Sequence, residues 1–220
     1  MYEGEDMREK NLFDLLVDIS ENKTQQTKLA QPARQPATME SLAAEVAGCV
    51  RCSLRLGACQ VVFGEGNPQA KLLFVGDVPG ADEDRQGIPF AGASGQLLNK
   101  ILAAAEIKRD EIYLANAIKC RPPQDRKPQP EEVAVCRGHL QQQIELISPA
   151  IIVCLGSLAA QTLASSSARA NVLRGRWFEL KGIRLMPTFH PAELLLDPAK
   201  KKSVWQDIQK VRDAYRLLTF

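Results

Sequence analysis

Aromatic side chains are scarce in this sequence, at 5% of its 220 residues, so the core must be built mainly from aliphatic side chains. Long hydrophobic runs are absent as well. Among the longest is the segment 150–155, whereas a membrane-spanning helix needs about 20 apolar residues. The first residues are rich in acidic side chains and lack the basic and apolar regions of a secretory signal. These absences predict a cytoplasmic protein that does not enter a membrane.

A disulfide framework is not expected either. The chain has six cysteines, which in a cytoplasmic protein are more commonly core residues, metal ligands or redox groups. The length suits one domain of about 150–200 residues with an additional tail. We assign the tail to residues 1–38 and the domain to residues 39–220, and we expect a monomer.

The tail contains an apolar set that fits a short amphipathic helix at residues 5–19. This set consists of Leu12, Phe13, Leu15, Leu16 and Ile19. Residues 21–38 are rich in Gln, Thr, Ala and Pro, which is typical of a flexible linker. Two interpretations stay open: the apolar set docks a replication or repair partner, or the tail is an extension without function.

Basic side chains are unevenly distributed, although the formal net charge is only +2. Residues 1–40 carry five basic and eight acidic side chains, whereas residues 41–220 carry 23 basic and 18 acidic ones. In the domain, basic residues cluster at 119–127, 169–184 and 200–202. Such clusters bind phosphates in some proteins and form a solvated surface in others, so charge alone does not decide between the two.

Short hydrophobic runs alternate with helical patterns through the domain. The runs predict buried strands at 71–76, 111–116 and 150–155, and two further strands on either side of Lys181-Gly182. Apolar spacing predicts helices that begin at or near Met39, Ser94, Pro130, Gly156 and Val204. This alternation predicts a parallel sheet covered by helices on both faces, with ligands bound at the carboxyl ends of the strands.

Polar and aromatic residues suited to binding or catalysis lie at or after the ends of three of these strands. Asp77 stands on a tight turn after the first strand, and Phe90 follows in a glycine-rich stretch, where it offers a stacking surface. Asn116 ends the second strand, where a side-chain amide can present a donor and an acceptor to a nucleobase. His190 lies on a rigid loop before Pro191, suited to proton transfer or hydrogen bonding. Taken singly, each residue also fits a structural role.

Four cysteines are candidate metal ligands: Cys49, Cys52, Cys120 and Cys136. Four thiolates without histidine suit zinc or an iron–sulfur cluster. Of the other two, Cys154 lies inside a predicted strand and is interpreted as a core residue, and Cys59 has no assigned role. His139 lies among polar residues of a predicted helix and is expected to face solvent.

In this order, the motifs resemble those of the family 4 uracil-DNA glycosylases, the iron–sulfur branch of the uracil-DNA glycosylase superfamily. The resemblance runs from about residue 41 to 218. The family motif GE-A/G-PG corresponds to residues 76–80, GxPFxG to 87–92, NxxKCRPP to 116–123 and HP-S/A to 190–192. No single motif is decisive, but all four in one order are highly specific.

The resemblance implies a three-layer α/β/α sandwich around a central, mainly parallel four-stranded sheet. It also implies a [4Fe-4S] cluster on the four cysteines named above, and uracil-containing DNA as the partner. By the same resemblance the catalytic residues are Asp77 and His190, and the base is bound by Gly76, Val78, Phe90 and Asn116. The expected DNA contacts are Lys119, Arg121, Leu194 and Leu195.

The expected reaction is hydrolysis of the N-glycosidic bond of a flipped uracil, which releases free uracil and leaves an abasic site without strand cleavage. Asp77 stands where the family usually has glutamate, so its carboxylate is one methylene shorter. The alternative is therefore a catalytically weak or inactive damage-binding protein of the same fold. A nucleotide-binding enzyme is disfavoured, because the chain has neither GxGxxG after a strand nor GxxxxGK[ST].

Overall fold

The computed structural model describes residues 38–164 and 170–219. The tail helix predicted at 5–19 and nearly all of the predicted linker lie outside these residues. None of the described helices is long and apolar enough to cross a bilayer.

The described residues form a six-stranded sheet with helices on both faces. The strands are β1 (Glu65–Gly66), β2 (Leu72–Gly76), β3 (Tyr113–Asn116), β4 (Ile151–Leu155), β5 (Phe178–Leu180) and β6 (Ile183–Thr188). The helices are α1 (Met39–Ala47), α2 (Leu54–Gly57), α3 (Ala81–Gln86), α4 (Ala93–Ala104), α5 (Pro130–Ile147), α6 (Ser157–Ala164), α7 (Ala170–Leu173), α8 (Pro191–Leu196) and α9 (Lys201–Thr219). Single 3-10 turns cover Arg109–Glu111, Pro123–Asp125 and Pro198–Lys200.

The strand order in the sheet is β1-β3-β2-β4-β6-β5. The four central strands are parallel, and the edge strands β1 and β5 pair antiparallel with their neighbours. The mainly parallel sheet predicted from the sequence is confirmed, but it has six strands instead of four. Strand β1 was not predicted and is only two residues long, whereas β5 and β6 are the two strands predicted on either side of Lys181-Gly182 and form a hairpin there.

Side chains of the central strands alternate between two hydrophobic cores. Leu72 and Phe74 of β2 pack in one core with residues of α4, α8 and α9, whereas Leu73 and Val75 pack in the other with residues of α5 and α6. Successive side chains of a strand point to opposite faces, so a strand covered on both faces reads as a continuous apolar run. The two cores and the sheet between them form the predicted three layers.

The carboxyl ends of the four parallel strands lie along one edge of the sheet. There the last residue of β2, Gly76, pairs with the last residue of β3, Asn116. The loop after β6 carries His190 to the same edge, because β6 runs parallel to β4 and β4 to β2. Cys154 is fully buried within β4, which confirms its interpretation as a core residue.

Candidate active site

A cavity of about 680 Å³ opens at this edge of the sheet. Its walls include five of the residues predicted to act on or bind the base: Asp77, Val78, Phe90, Asn116 and His190. These residues belong to segments that follow β2, β3 and β6, and the turn that begins α6 after β4 completes the lining. The parallel topology therefore brings together side chains that are far apart in the sequence.

Gly76 is the point on which three of these side chains converge. A Cβ at this position would lie 2.4 Å from Asn116 Oδ1, 2.8 Å from Cζ of Phe90 and 3.3 Å from His190 Nε2. The first two distances are shorter than any real Cβ contact, so only glycine fits. An amide, an aromatic ring and an imidazole nitrogen thus share one small space at the end of β2.

Phe90 holds its ring in this space through an unusual backbone conformation. Its φ is 56°, in the left-handed region that bulky residues rarely occupy, and its side chain is 5% exposed. The ring stacks on the His190 imidazole with centroids 5.8 Å apart and planes 19° from parallel. Strain of this kind costs about 1–3 kcal/mol and is concentrated at functional sites.

His190 is the N-cap of α8, and this position fixes its ring. Its Nδ1 accepts the backbone N–H of Ala192 at 3.1 Å, and the backbone N–H of His190 donates to Glu193 Oε1 at 3.2 Å. Burial lowers the pKa of His190 to about 4, although the carboxylates of Glu193 and Glu83 oppose the shift. The imidazole is therefore neutral near pH 7. Because Nδ1 is an acceptor, the proton resides on Nε2, which faces the cavity.

The Asp77 carboxylate is held by the first turn of α6. Its Oδ1 accepts the Ala159 N–H at 2.8 Å. Burial raises the pKa of Asp77 to about 7, against the lowering effect of backbone N–H groups of residues 157–159, and the charge of Glu193 adds to the rise. At neutral pH this carboxyl group is poised between its two protonation states.

Glu83 also forms part of the cavity wall, although no role was predicted for it from the sequence. It is 7% exposed, and its two oxygens accept the N–H groups of Gly80 and Gly92 at 3.0 and 2.9 Å. A Cβ at Gly80 would lie 2.7 Å from Glu83 Oε2, so the carboxylate occupies the space of a side chain at position 80. The capping-box spacing of these two residues was the signal in the sequence.

Two residues predicted as DNA contacts are buried, and for them the prediction is wrong. Lys119 is 1% exposed, and its ammonium donates to the carbonyl oxygens of Phe63 and Asn116 and to Gln143 Oε1. Leu194 is also 1% exposed, because it is on the face of α8 that packs in the core with α4.

The exposed residues near the cavity are leucines of α8 and basic residues of the loop after β3. Leu195 is 49% exposed and Leu196, which the prediction omitted, is 89% exposed. Arg121 is partly exposed and forms an ion pair with Asp125. Arg126 and Lys127 line the mouth of the cavity, and Arg126 is anchored by Glu132 on α5 at 2.7 Å. The basic cluster at 119–127 therefore divides into one buried lysine and a partly exposed rim.

The four cysteines predicted as ligands, Cys49, Cys52, Cys120 and Cys136, surround one small space beneath this rim. Burial, and after it the thiols of Cys136, Cys52 and Cys49, raise the pKa of Cys120 to about 12. The backbone N–H of Lys119 donates to Cys136 Sγ at 3.3 Å. Among residues 38–164 and 170–219, no group of three or more His, Cys, Asp or Glu side chains is placed to hold a single metal ion.

His139 also lines this space, which corrects the expectation that it faces solvent. It is 1% exposed, and its Nε2 lies 3.3 Å from Cys49 Sγ. On α5 it lies between Cys136 and Gln143, which are buried too, so it belongs to the inward face of the helix. The neighbouring polar residues in the sequence concealed this position.

Comparisons with known proteins agree with the geometry. The family model of the Uracil DNA glycosylase superfamily matches residues 63–209. The type-4 uracil-DNA glycosylase of Archaeoglobus fulgidus is 36% identical over 79% of this chain and 92% of its own length. That of Thermotoga maritima is 39% identical over 79% and 93%, and a type-5 enzyme of Pyrobaculum aerophilum is 31% identical over 59% and 64%. The chain therefore belongs to the uracil-DNA glycosylase superfamily, in its type-4 branch.

Proposed function

We propose that this protein flips uracil out of DNA and hydrolyses its N-glycosidic bond, leaving an abasic site. The observation that carries the proposal is the convergence of Asn116, Phe90 and His190 on Gly76. A uracil ring fits against the face of Phe90, with the Asn116 amide at one of its edges and the His190 imidazole at another. The type-4 names of the relatives favour an active enzyme over the alternative of a damage-binding protein.

Base recognition is assigned to Phe90 and Asn116. Phe90 stacks on the flipped base. The Asn116 amide accepts from the uracil N3–H and donates to O4, and cytosine presents the reverse pattern at these atoms. Because Asn116 is 3% exposed, a base with the wrong pattern leaves a buried polar group unpaired, which is the strongest form of rejection available to a binding site.

Bond cleavage is assigned to His190. Breaking the glycosidic bond leaves negative charge on the uracil, and the Nε2–H of a neutral imidazole donates to O2 as that charge develops. A preorganised donor in a buried site is worth about 3–4 kcal/mol of transition-state stabilisation. With a pKa of about 4, His190 acts as a hydrogen-bond donor and does not transfer its proton.

Asp77 is assigned to the sugar side of the reaction, where positive charge develops and water attacks. In its ionised form it stabilises the cation and orients the water. The ammonium of Lys119 is committed to three protein oxygens, and the proposed reaction uses no lysine nucleophile. We therefore expect hydrolysis without strand cleavage.

We further propose that Cys49, Cys52, Cys120 and Cys136 hold a [4Fe-4S] cluster. When bound, the cluster supplies a rigid link between the segment before α2, the loop after β3 and helix α5. Through Arg121 and Arg126 this link orients the basic rim toward the DNA backbone. Leu195 and Leu196 are the exposed apolar residues near His190 that fill the space left by the flipped base.

The decisive experiment measures release of labelled uracil from U·G, U·A and single-stranded oligonucleotides, with T·G as the negative substrate. Release from the uracil substrates, with strand breaks only after alkali, is the expected result. The matched variant Asn116→Asp exchanges an amide donor for an acceptor, and we expect about a hundredfold less release and weaker rejection of cytosine. Binding of uracil-containing DNA without release would support the damage-binding alternative.

A further inference from the structure

We propose that Lys119 is a positioning residue that fixes Asn116 for the selection of uracil. The inference rests on the proposed function and deepens it. It replaces the phosphate contact predicted from the sequence by a role within the base pocket.

The first observation is the set of partners around the ammonium group. Its hydrogen bonds to the carbonyl oxygens of Asn116 and Phe63 are 2.9 and 3.2 Å long, and the third goes to Gln143 Oε1. All three ammonium protons are used. The partners come from the end of β3, from the segment before β1 and from α5, so one side chain ties three separate segments together.

The second observation is that the backbone of the same segment is fixed on both sides. The Lys119 N–H donates to Cys136 Sγ at 3.3 Å, and its carbonyl accepts the Val62 N–H at 2.8 Å. Between it and Asn116, the N–H groups of Ala117 and Ile118 donate to Gly76 and Asp77. The Asn116 carbonyl, at the start of this loop, is the group that the ammonium holds.

The position of the Asn116 amide matters because little space is available around it. Asn116 Oδ1 lies only 2.4 Å from the point where Gly76 would carry a Cβ. The Asn116 carbonyl carbon and Cβ are both bonded to its Cα, so a hydrogen bond that holds the carbonyl restricts where the side-chain amide lies. A displacement of about 1 Å in such a group can cost a hundredfold in rate.

The choice of lysine supports a role beyond packing. A buried ammonium without a carboxylate partner is costly, and none of its three acceptors is charged. An apolar side chain of similar length would fill the same volume but leave the Asn116 carbonyl without a donor. Lys119 therefore supplies a hydrogen-bond donor at this point of the loop, which an apolar side chain would not.

The test compares Lys119→Met with Lys119→Gln, which loses the charge but keeps a donor. Uracil and cytosine release are measured under single-turnover conditions, and DNA affinity is measured over a range of salt concentrations. For Lys119→Met we expect at least about a tenfold loss in uracil release and in the uracil-to-cytosine ratio, with DNA affinity within about twofold. Lys119→Gln should fall between it and the unaltered protein.

Ile147→Ala is the matched control, because Ile147 is buried on α5 and lines neither the cavity nor the cysteine site. It should lose stability without losing the uracil-to-cytosine ratio. An unchanged ratio in Lys119→Met, with weaker DNA binding and a salt slope reduced by about one, would overturn the inference and restore the phosphate contact.

The NMR signal of the Asn116 side-chain amide provides a reading that does not depend on activity. It should shift or broaden in Lys119→Gln, and also in Lys119→Met if that variant folds. An unchanged signal in the folded variant would overturn the inference, whether or not the unaltered protein releases uracil. Absence of uracil release by the unaltered protein would refute the proposed function separately.

Discussion

At the scale of single residues, the two ring nitrogens of His190 have different surroundings. Nδ1 accepts the Ala192 N–H, and Nε2 faces the cavity. A donor that acts on the leaving base works only in the transition state. We therefore expect His190→Ala to slow single-turnover uracil release at least about a hundredfold while DNA affinity stays within about twofold. A parallel loss in rate and affinity would instead assign His190 to DNA binding.

Asp77 gives a prediction about stability and pH. Because its pKa is raised from 3.8 to about 7, the folded protein retains a proton that the unfolded chain releases above about pH 4. The stabilising effect of this proton is complete below pH 4 and is lost as the pH rises to about 7. Asp77→Asn cannot ionise and still offers an acceptor to Ala159. We expect the variant to be more stable than the unaltered protein. The difference in their free energies of unfolding should be on the order of 2 kcal/mol larger at pH 8 than at pH 5.

Denaturant unfolding at the two pH values measures this difference. An equal gain at pH 5 and pH 8 would show that Asp77 is ionised in the folded state throughout this range. Uracil release by the same variant tests the proposed role in the reaction, because Asn cannot stabilise a cation.

Residues of the site differed in how well the sequence predicted their positions. Asp77, Asn116 and His190 were predicted because strand ends in a parallel sheet must meet at one edge. Lys119 was assigned to the surface because charge patterns carry no information on burial. Its three oxygen partners belong to segments up to 56 residues away, and only the folded chain brings them together.

At the scale of elements, helix α8 presents three consecutive leucines in different environments. Leu194 is buried, Leu195 is half exposed and Leu196 is almost fully exposed. We expect Leu196→Ala to slow uracil release from duplex DNA by roughly tenfold and to leave release from single strands nearly unchanged, because only a duplex has a gap to fill after flipping. Leu194→Ala should instead destabilise the protein by about 2–5 kcal/mol. Equal effects of Leu196→Ala on both substrates would contradict this role.

Elements with a strong hydrophobic pattern were predicted well, and those that depend on a partner were not. β2 and β4 are buried at every position, and their apolar runs mark them in the sequence. Strand β1 has only two residues, Glu65 and Gly66, with no hydrophobic alternation. It exists through its pairing with Leu114 and Tyr113 of β3, which no local pattern reveals. The inward position of His139 was missed because its neighbours in the sequence are polar.

At the scale of the whole molecule, the cysteine site joins segments that the sheet alone does not connect. We expect anaerobically purified protein to be brown and to contain about four irons per chain. Serine in place of Cys49, Cys52, Cys120 or Cys136 should remove the visible absorbance, whereas Cys59→Ser and Cys154→Ser should retain it. Iron analysis and the absorption spectrum measure both. One stoichiometric zinc in place of iron would refute the cluster.

The order of the sheet has a consequence for synthesis on the ribosome. Strand β6 lies between β4 and β5, and His190 follows β6 in the chain. A nascent chain that has emerged only as far as β5 already contains the four cysteines, Phe90 and Asn116. It lacks both the strand that completes the parallel sheet and His190, the proposed donor to the leaving base. On the role proposed for His190, we expect glycosylase activity to arise only after β6 and the loop behind it have been synthesised.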